Sequence, residues 1–295
     1  LIVREGGKPI GYAKGEIARC ITTVRTAAAE ALRFTGESVA IDYGPGAGKT
    51  AFTKRFPIGT IAAITPFNFP LNLVLHKLAP AMAVGCPVVL KPAPQAPLSS
   101  FALARMMEEI GWPKGAFSVL LCGIPVAEKL VKDERIAMLS FTGSDKVGWH
   151  LKSICGKKKV ALELGGNASV IVDEGVDLAA TAKTVAMGAN LYAGQTCIST
   201  QRIYAFKSVF GEFRDLLVKE YGALKAGDPS DRRRVDATGL LVGRVGVEIG
   251  QRLGVLHATE LQLAARRGRE ARGAGVPRRR ASTRMTGGER RRVAV

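Results

Sequence analysis

Two pieces of sequence decide the reading: Leu162-Glu163-Leu164-Gly165-Gly166-Asn167 and, past a helical stretch, Gly194-Gln195-Thr196-Cys197-Ile198-Ser199. The first is an apolar strand that carries a carboxylate and runs into a glycine turn. The second places a thiol just beyond a helix. A thiol and a carboxylate are a nucleophile and a base, the least that covalent chemistry on a carbonyl requires. Cys197 attacks only as the thiolate, so it needs positive potential or amide donors nearby. Glu163 takes a proton from water only if burial lifts its pKa or neighbours poise it. Gly165-Gly166 lets the backbone turn tightly or lets a flat ligand approach.

Working outward, Thr65-Pro66-Phe67-Asn68-Phe69-Pro70 adds a third polar group. Its two prolines hold Asn68 in an extended or turned segment. The amide there could donate to an oxygen that turns negative when a thiolate adds to an aldehyde. Taken singly, each residue has a bland reading: Cys as a small buried hydrophobe, Glu as a surface charge, Asn beside proline as a turn former.

The periodicity around these pieces alternates strand and helix. Helices are expected over 16–31, 71–84, 98–110, 127–132, 144–152, 177–192 and 208–221. Strands are expected over 59–65, 86–90, 117–121, 138–142, 160–164, 167–173 and 202–206. Pro87-Val88-Val89-Leu90 is a continuous apolar run, as in a parallel strand covered on both faces. Such alternation with short links predicts a doubly wound, mostly parallel α/β sheet. Ligands of such sheets sit beyond the carboxyl ends of the strands. Asn68, Lys91, Gly143, Ser144 and Glu163 all fall at those ends, which predicts one shared site. Gly143-Ser144 also opens a helix, so its amide N–H groups could face a pyrophosphate. The glycine-rich Tyr43-Gly44-Pro45-Gly46-Ala47-Gly48-Lys49-Thr50 imitates a phosphate-binding P-loop, but Tyr43 stands where that motif needs glycine. A hairpin turn within 39–54 is expected instead.

These motifs, together and in this order, resemble the aldehyde dehydrogenase superfamily: Pro66 to Pro70, Lys91 to Ala93, Phe141 to Ser144, Leu162 to Asn167 and Gly194 to Ser199. The resemblance runs from about Lys14 to Pro229. It implies a Rossmann-like cofactor domain over 1–164 and a partial α/β catalytic domain over 165–230, with further chain ahead of Leu1. It implies oxidation of an aldehyde to an acid with NAD or NADP, Cys197 as nucleophile, Glu163 as base, and Asn68 with the Cys197 N–H as oxyanion donors. The implied cofactor residues are Thr65, Pro66, Phe67, Lys91, Pro92, Gly143, Ser144, Gly148, Leu164 and Gly165. Many NAD-preferring relatives carry Glu where this chain has Pro94; proline neither clasps the ribose nor repels a 2′-phosphate, so either cofactor is admissible. The family forms homo-oligomers, but the bridging strand and the later Glu-x-Phe-Gly-Pro motif are not found in this sequence.

The 295 residues suffice for two domains, and a hydrophobic fraction of 47% suits a globular core. Five scattered Cys and three scattered His give no paired spacing, which points to a reducing, cytoplasmic setting with no metal site. No apolar run reaches the roughly 18 residues of a membrane span, and no membrane partner is expected. The net charge of +18 is uneven. Residues 1–230 hold 18 Lys and 9 Arg against 19 acids, whereas 231–295 hold 16 Arg, no Lys and 6 acids. An abrupt switch to Lys-free, Arg- and Gly-rich text reads as a frameshifted or non-native tail. The rivals are a cofactor-binding fragment without turnover, or a basic arm for nucleic acid. The second is weakened because 231–295 offers no aromatic residue to stack on bases.

Overall fold

The structure, a computed structural model, describes residues 1–224 and 227–231. The expectations placed on the arginine-rich tail therefore fall, from residue 232 onward, outside the described residues. The chain opens with helices α1 (Ile2–Gly6) and α2 (Ile10–Ala31). Strands β1 (Ser38–Val39) and β2 (Ala51–Phe52) then form an antiparallel hairpin around the glycine-rich stretch. Asp42 Oδ1 accepts from the Gly48 N–H across that turn, and a strand comes next. The hairpin reading of 43–50 holds, and the P-loop resemblance is spurious.

The main sheet comprises β3 (Thr60–Ile64), β4 (Val88–Lys91), β5 (Phe117–Val119), β6 (Ile136–Gly143) and β7 (Lys159–Leu164), in the order β5-β4-β3-β6-β7 and parallel throughout. Helices α3 (Asn72–Ala83), α4 (Leu98–Glu109), α5 (Ile124–Lys132) and α6 (Asp145–Ile154) make the crossovers. Central strand β3 shows why both faces must be covered. Ile61 and Ala63 pack with Val74, Leu75, Leu78 and Cys86 on one side. Ala62 and Ile64 pack with Val131, Leu139 and Leu151 on the other. A strand apolar at every position has no face to give to water.

The chain leaves β3 toward β4 on one side and later returns to β6 on the other. Such a reversal opens a crevice at the carboxyl ends of the two strands. Thr65 comes directly after β3 there and Gly143 ends β6.

Helices α3 and α4 lack local side-chain caps. Two carboxylates from the first sixteen residues serve instead. Glu16 Oε1 accepts from the N–H groups of Leu71 and Asn72, each at 3.0 Å. Glu5 accepts from the N–H groups of Leu98 and Ser99 at 2.7 and 3.1 Å. A negative charge at these ends also suits the helix dipole.

Past the Gly165-Gly166 turn, β8 (Ala168–Val172) and β9 (Thr200–Ala205) form a parallel pair linked by α7 (Leu178–Asn190), with α8 (Phe210–Ala223) after them. Val172, Ala182, Val185, Ile203 and Phe213 form their core. Asp177 caps α7 by accepting from the Ala180 N–H.

Candidate active site at the strand ends

The loop from Leu191 to Ser199 delivers the cysteine. Tyr192 and Ala193 hold φ values of 51° and 56°, and Gly194 continues at 73°. A left-handed side-chain residue costs about 1–2 kcal/mol, so surrounding contacts must hold the turn. Tyr192 is 2% exposed, and its hydroxyl donates to the Gly6 carbonyl. Ser199 Oγ donates to the Ala189 carbonyl at 2.9 Å and locks the far end of the loop to α7. Cys197 itself is exposed.

Three segments remote in sequence meet at this loop. Asn68 Nδ2 donates to the Gln195 carbonyl at 2.7 Å. On the other side, a Cβ at Gly166 would lie 3.1 Å from the Cys197 carbonyl oxygen, so the turn after β7 comes close enough to the loop that any side chain there would have to push it aside by a few tenths of an ångström. The same turn lies just past Glu163, which pairs with Thr142 on β6. The Asn68 Oδ1 and Thr196 Oγ1 atoms are buried beside the loop with no partner among the described residues.

Glu163 is exposed. Its charge reaches the buried ammonium of Lys77 on α3. Lys77 is 9% exposed and donates to Ser140 Oγ at 3.0 Å. Burial pushes its pKa down to about 8, against the pull of Glu163. His76, an exposed neighbour, bonds Asn72 Nδ2 at 3.2 Å, which fits a helix-surface histidine. Its pKa is lowered by partial burial and by Arg19 and Lys77, with Glu163 opposing. Sequence reasoning missed Lys77. The available signal was a charge set between Val74 and Ala81, inside the apolar stripe of α3.

On the nucleotide side, the Thr65 N–H donates to the Lys91 carbonyl at 3.2 Å, tying the ends of β3 and β4 together. Thr65 and Pro92 are buried; Pro66, Phe67 and Lys91 are half-buried at the rim; Pro94 is exposed. Ser144 stands ahead of α6 with its hydroxyl making no cap bond, so the first-turn N–H groups of α6 have no side-chain acceptor from it. That arrangement fits an anionic pyrophosphate, with Asp145 in the same turn offsetting part of the attraction. Gly148 sits one turn deeper and is buried; a Cβ there would meet Leu164 Cδ2 at 2.4 Å. Its contribution is close approach of α6 to β7, while Leu164 and Gly165 form the strand end above it. Among the described residues no cluster of His, Cys, Asp and Glu could hold a metal, all five cysteines are free, and no helix is long and apolar enough to cross a membrane.

Comparison with known proteins bears on the family and the fold. A model of the aldehyde dehydrogenase family matches residues 1–241, wider than the stretch from Lys14 to Pro229 expected from motifs. A 3-sulfolactaldehyde dehydrogenase of Priestia aryabhattai is 42% identical over 235 residues, 79% of this chain and 49% of its own. Aspartate-semialdehyde dehydrogenase 1 of Pseudomonas canavaninivorans is 41% identical over 78% of this chain and 49% of its own. Among solved structures, aldehyde dehydrogenase 21 from Physcomitrella patens in complex with succinate superposes with a TM-score of 0.75 at 41% identity, covering 80% of this chain and 49% of that one. The glyceraldehyde-3-phosphate dehydrogenase GapN from Methanocaldococcus jannaschii, complexed with NADP, gives a TM-score of 0.75 at 36% identity over 84% of this chain and 53% of that one. The chain thus spans about half the length of the relatives it matches. Over that span, in sequence and in fold, it belongs to the aldehyde dehydrogenase family.

Proposed function

We propose that this chain carries the dinucleotide-binding part and the nucleophile loop of an enzyme that oxidises a short, polar aldehyde to its acid with NAD or NADP. The observation that carries the reading is the 2.7 Å bond from Asn68 Nδ2 to the Gln195 carbonyl, which joins the proposed oxyanion donor to the loop of the proposed nucleophile. Residues 1–164 are read as the cofactor unit, and 165–230 as the part of the catalytic unit that presents Cys197. The substrate class rests on relatives named for sulfolactaldehyde and aspartate semialdehyde.

Thr65, Pro66, Phe67, Lys91 and Pro92 line one wall of the cofactor crevice in this reading. Gly143 and Ser144 present the α6 amides to the pyrophosphate, with Leu164 and Gly165 opposite. Neutral, exposed Pro94 leaves room for a 2′-phosphate. A nicotinamide held there would accept the hydride lost by the substrate carbon.

Cys197 Sγ adds to the carbonyl carbon and forms a thiohemiacetal. Its oxygen receives the negative charge and is held by the Cys197 N–H and by Asn68. The Asn68 amide has two hydrogens, so one can stay on Gln195 while the other turns to the substrate. Once hydride has left that carbon a thioester remains, and Glu163, exposed and within reach of water, takes a proton from the water that attacks it; the C–S bond breaks, the acid departs and Cys197 is left as the thiolate. Lys77 holds its ammonium within the field of Glu163.

Replacing Cys197 with Ala is expected to abolish aldehyde oxidation and leave nucleotide binding intact. Glu163→Gln is expected to give one burst of reduced cofactor and then stall. Undiminished steady turnover by Glu163→Gln refutes the base assignment. The rival reading is nucleotide binding without turnover; nicotinamide fluorescence titration beside a turnover assay separates the two.

A further inference from the structure

The most deeply buried charges in the described chain have no part in the chemistry above. Lys8 is 0% exposed and Glu16 1% exposed, and their side chains meet at 2.5 Å. We propose that this ion pair is a positioning device that fixes, from one point, both the segment carrying Asn68 and the loop carrying Cys197. The inference rests on the site assignment above.

Each end of the pair reaches a different side of the site. Glu16 uses one oxygen for Lys8 and the other for the N–H groups of Leu71 and Asn72, just past Asn68. The Lys8 ammonium lies 3.7 Å from the ring centroid of Phe69, the residue after Asn68, and 5.0 Å from the ring of Tyr192. Tyr192 is the left-handed residue at the root of the Cys197 loop, and its hydroxyl donates to Gly6, two residues before Lys8. The ammonium thus stands between an aromatic ring from each loop, with its charge met by Glu16 and by both π faces. Asn68 and Gln195 then meet at 2.7 Å as the consequence of two loops held on one anchor.

A purely structural ion pair would lower stability everywhere when removed. A positioning pair acts on two segments. The test uses the full chain with Lys8→Met and Glu16→Gln together. The glutamine amide oxygen still accepts from Leu71 and Asn72, and the methionine stem still covers Phe69, while both charges go. Hydrogen exchange is expected to speed up about tenfold in peptides covering 66–72 and 190–199, with 88–91 and 136–143 unchanged. In turnover, kcat is expected to fall by about a hundredfold, as for a misplaced reacting group, with the aldehyde KM and the nucleotide Kd held. Tyr192→Phe, which cuts only the bond to Gly6, is expected to speed up exchange in 190–199 alone. Uniform acceleration across the chain, or unchanged exchange at both loops, overturns the proposal. If the unaltered chain oxidises no aldehyde, the functional reading fails, and the exchange pattern still decides this one.

Discussion

At the scale of single residues, Lys77 shows what tertiary burial does to a charge. In the unfolded chain a lysine titrates near 10.5, and here the folded value is about 8. Between those values the unfolded state binds more protons, so stability rises with pH across that window; below about 8 the cost of burying the ammonium is felt in full. Lys77→Met is therefore expected to be more stable than the parent at pH 7 by about 1–2 kcal/mol, discounted for the lost bond to Ser140. The gap should close toward pH 10, as read by urea melts of both proteins at the two pH values. An unchanged gap would mean that the ammonium is solvated. Asn68→Ala belongs to the same scale: losing one oxyanion donor should lower kcat by about a hundredfold or more, with KM little changed. Asn68, Glu163 and Cys197 stand out as candidates in the sequence because prolines or glycines lie within three residues of each and mark special backbone. Lys77 and Tyr192 were not, since their meaning depends on what covers them.

At the scale of elements, the strands of the main sheet were readable from apolar runs, and the helices from their spacing. The largest boundary miss is at α2. Helix α2 begins at Ile10, ahead of the expected residue 16, because Gly11 and Gly15 hide its first turns from any propensity argument. The starts of α3 and α4 fall within one residue of the expected 71 and 98, although their caps, Glu16 and Glu5, lie far off in the sequence. Glu5→Ala is expected to cost about 1–2 kcal/mol, the usual worth of an N-cap, measured by thermal melting. Gly148 gives a sharper test of helix placement. Its substitution by Ala sets a methyl against Leu164 and against the Phe141 ring, with Cδ2 and Cε1 at 2.4 and 3.2 Å. Leu164 can turn aside but the ring cannot easily move with it, so a loss of about 1–2 kcal/mol is expected from overpacking. Because α6 must then lift, nucleotide affinity should fall as well. Adding Leu164→Ala to Gly148→Ala should restore part of that affinity; no recovery would separate Gly148 from the strand beneath it.

At the scale of the whole molecule, the sheet and the β8–α7–β9 unit differ in how much of their surroundings the described residues supply. Both faces of β3 are filled from within residues 1–164, with one core on each side. The β8–β9 pair is a two-stranded sheet, and Ile171 on it remains 73% exposed. Motifs made the order of these units legible, but an arginine-rich composition from 231 onward carries no hydrophobic period from which elements could be read. A self-sufficient sheet with its crevice at the ends of β3 and β6 should bind nucleotide whether or not the catalytic unit turns over. Titration of the full chain with NADPH is therefore expected to give saturable enhancement of nicotinamide fluorescence, unaltered by Cys197→Ala. Binding through the α6 amides and Lys91 adds a dependence on ionic strength, since the ligand is anionic and the rim is half-exposed. Fluorescence that never saturates, in the parent and in Cys197→Ala alike, would mean that the five strands alone do not suffice to form the nucleotide crevice.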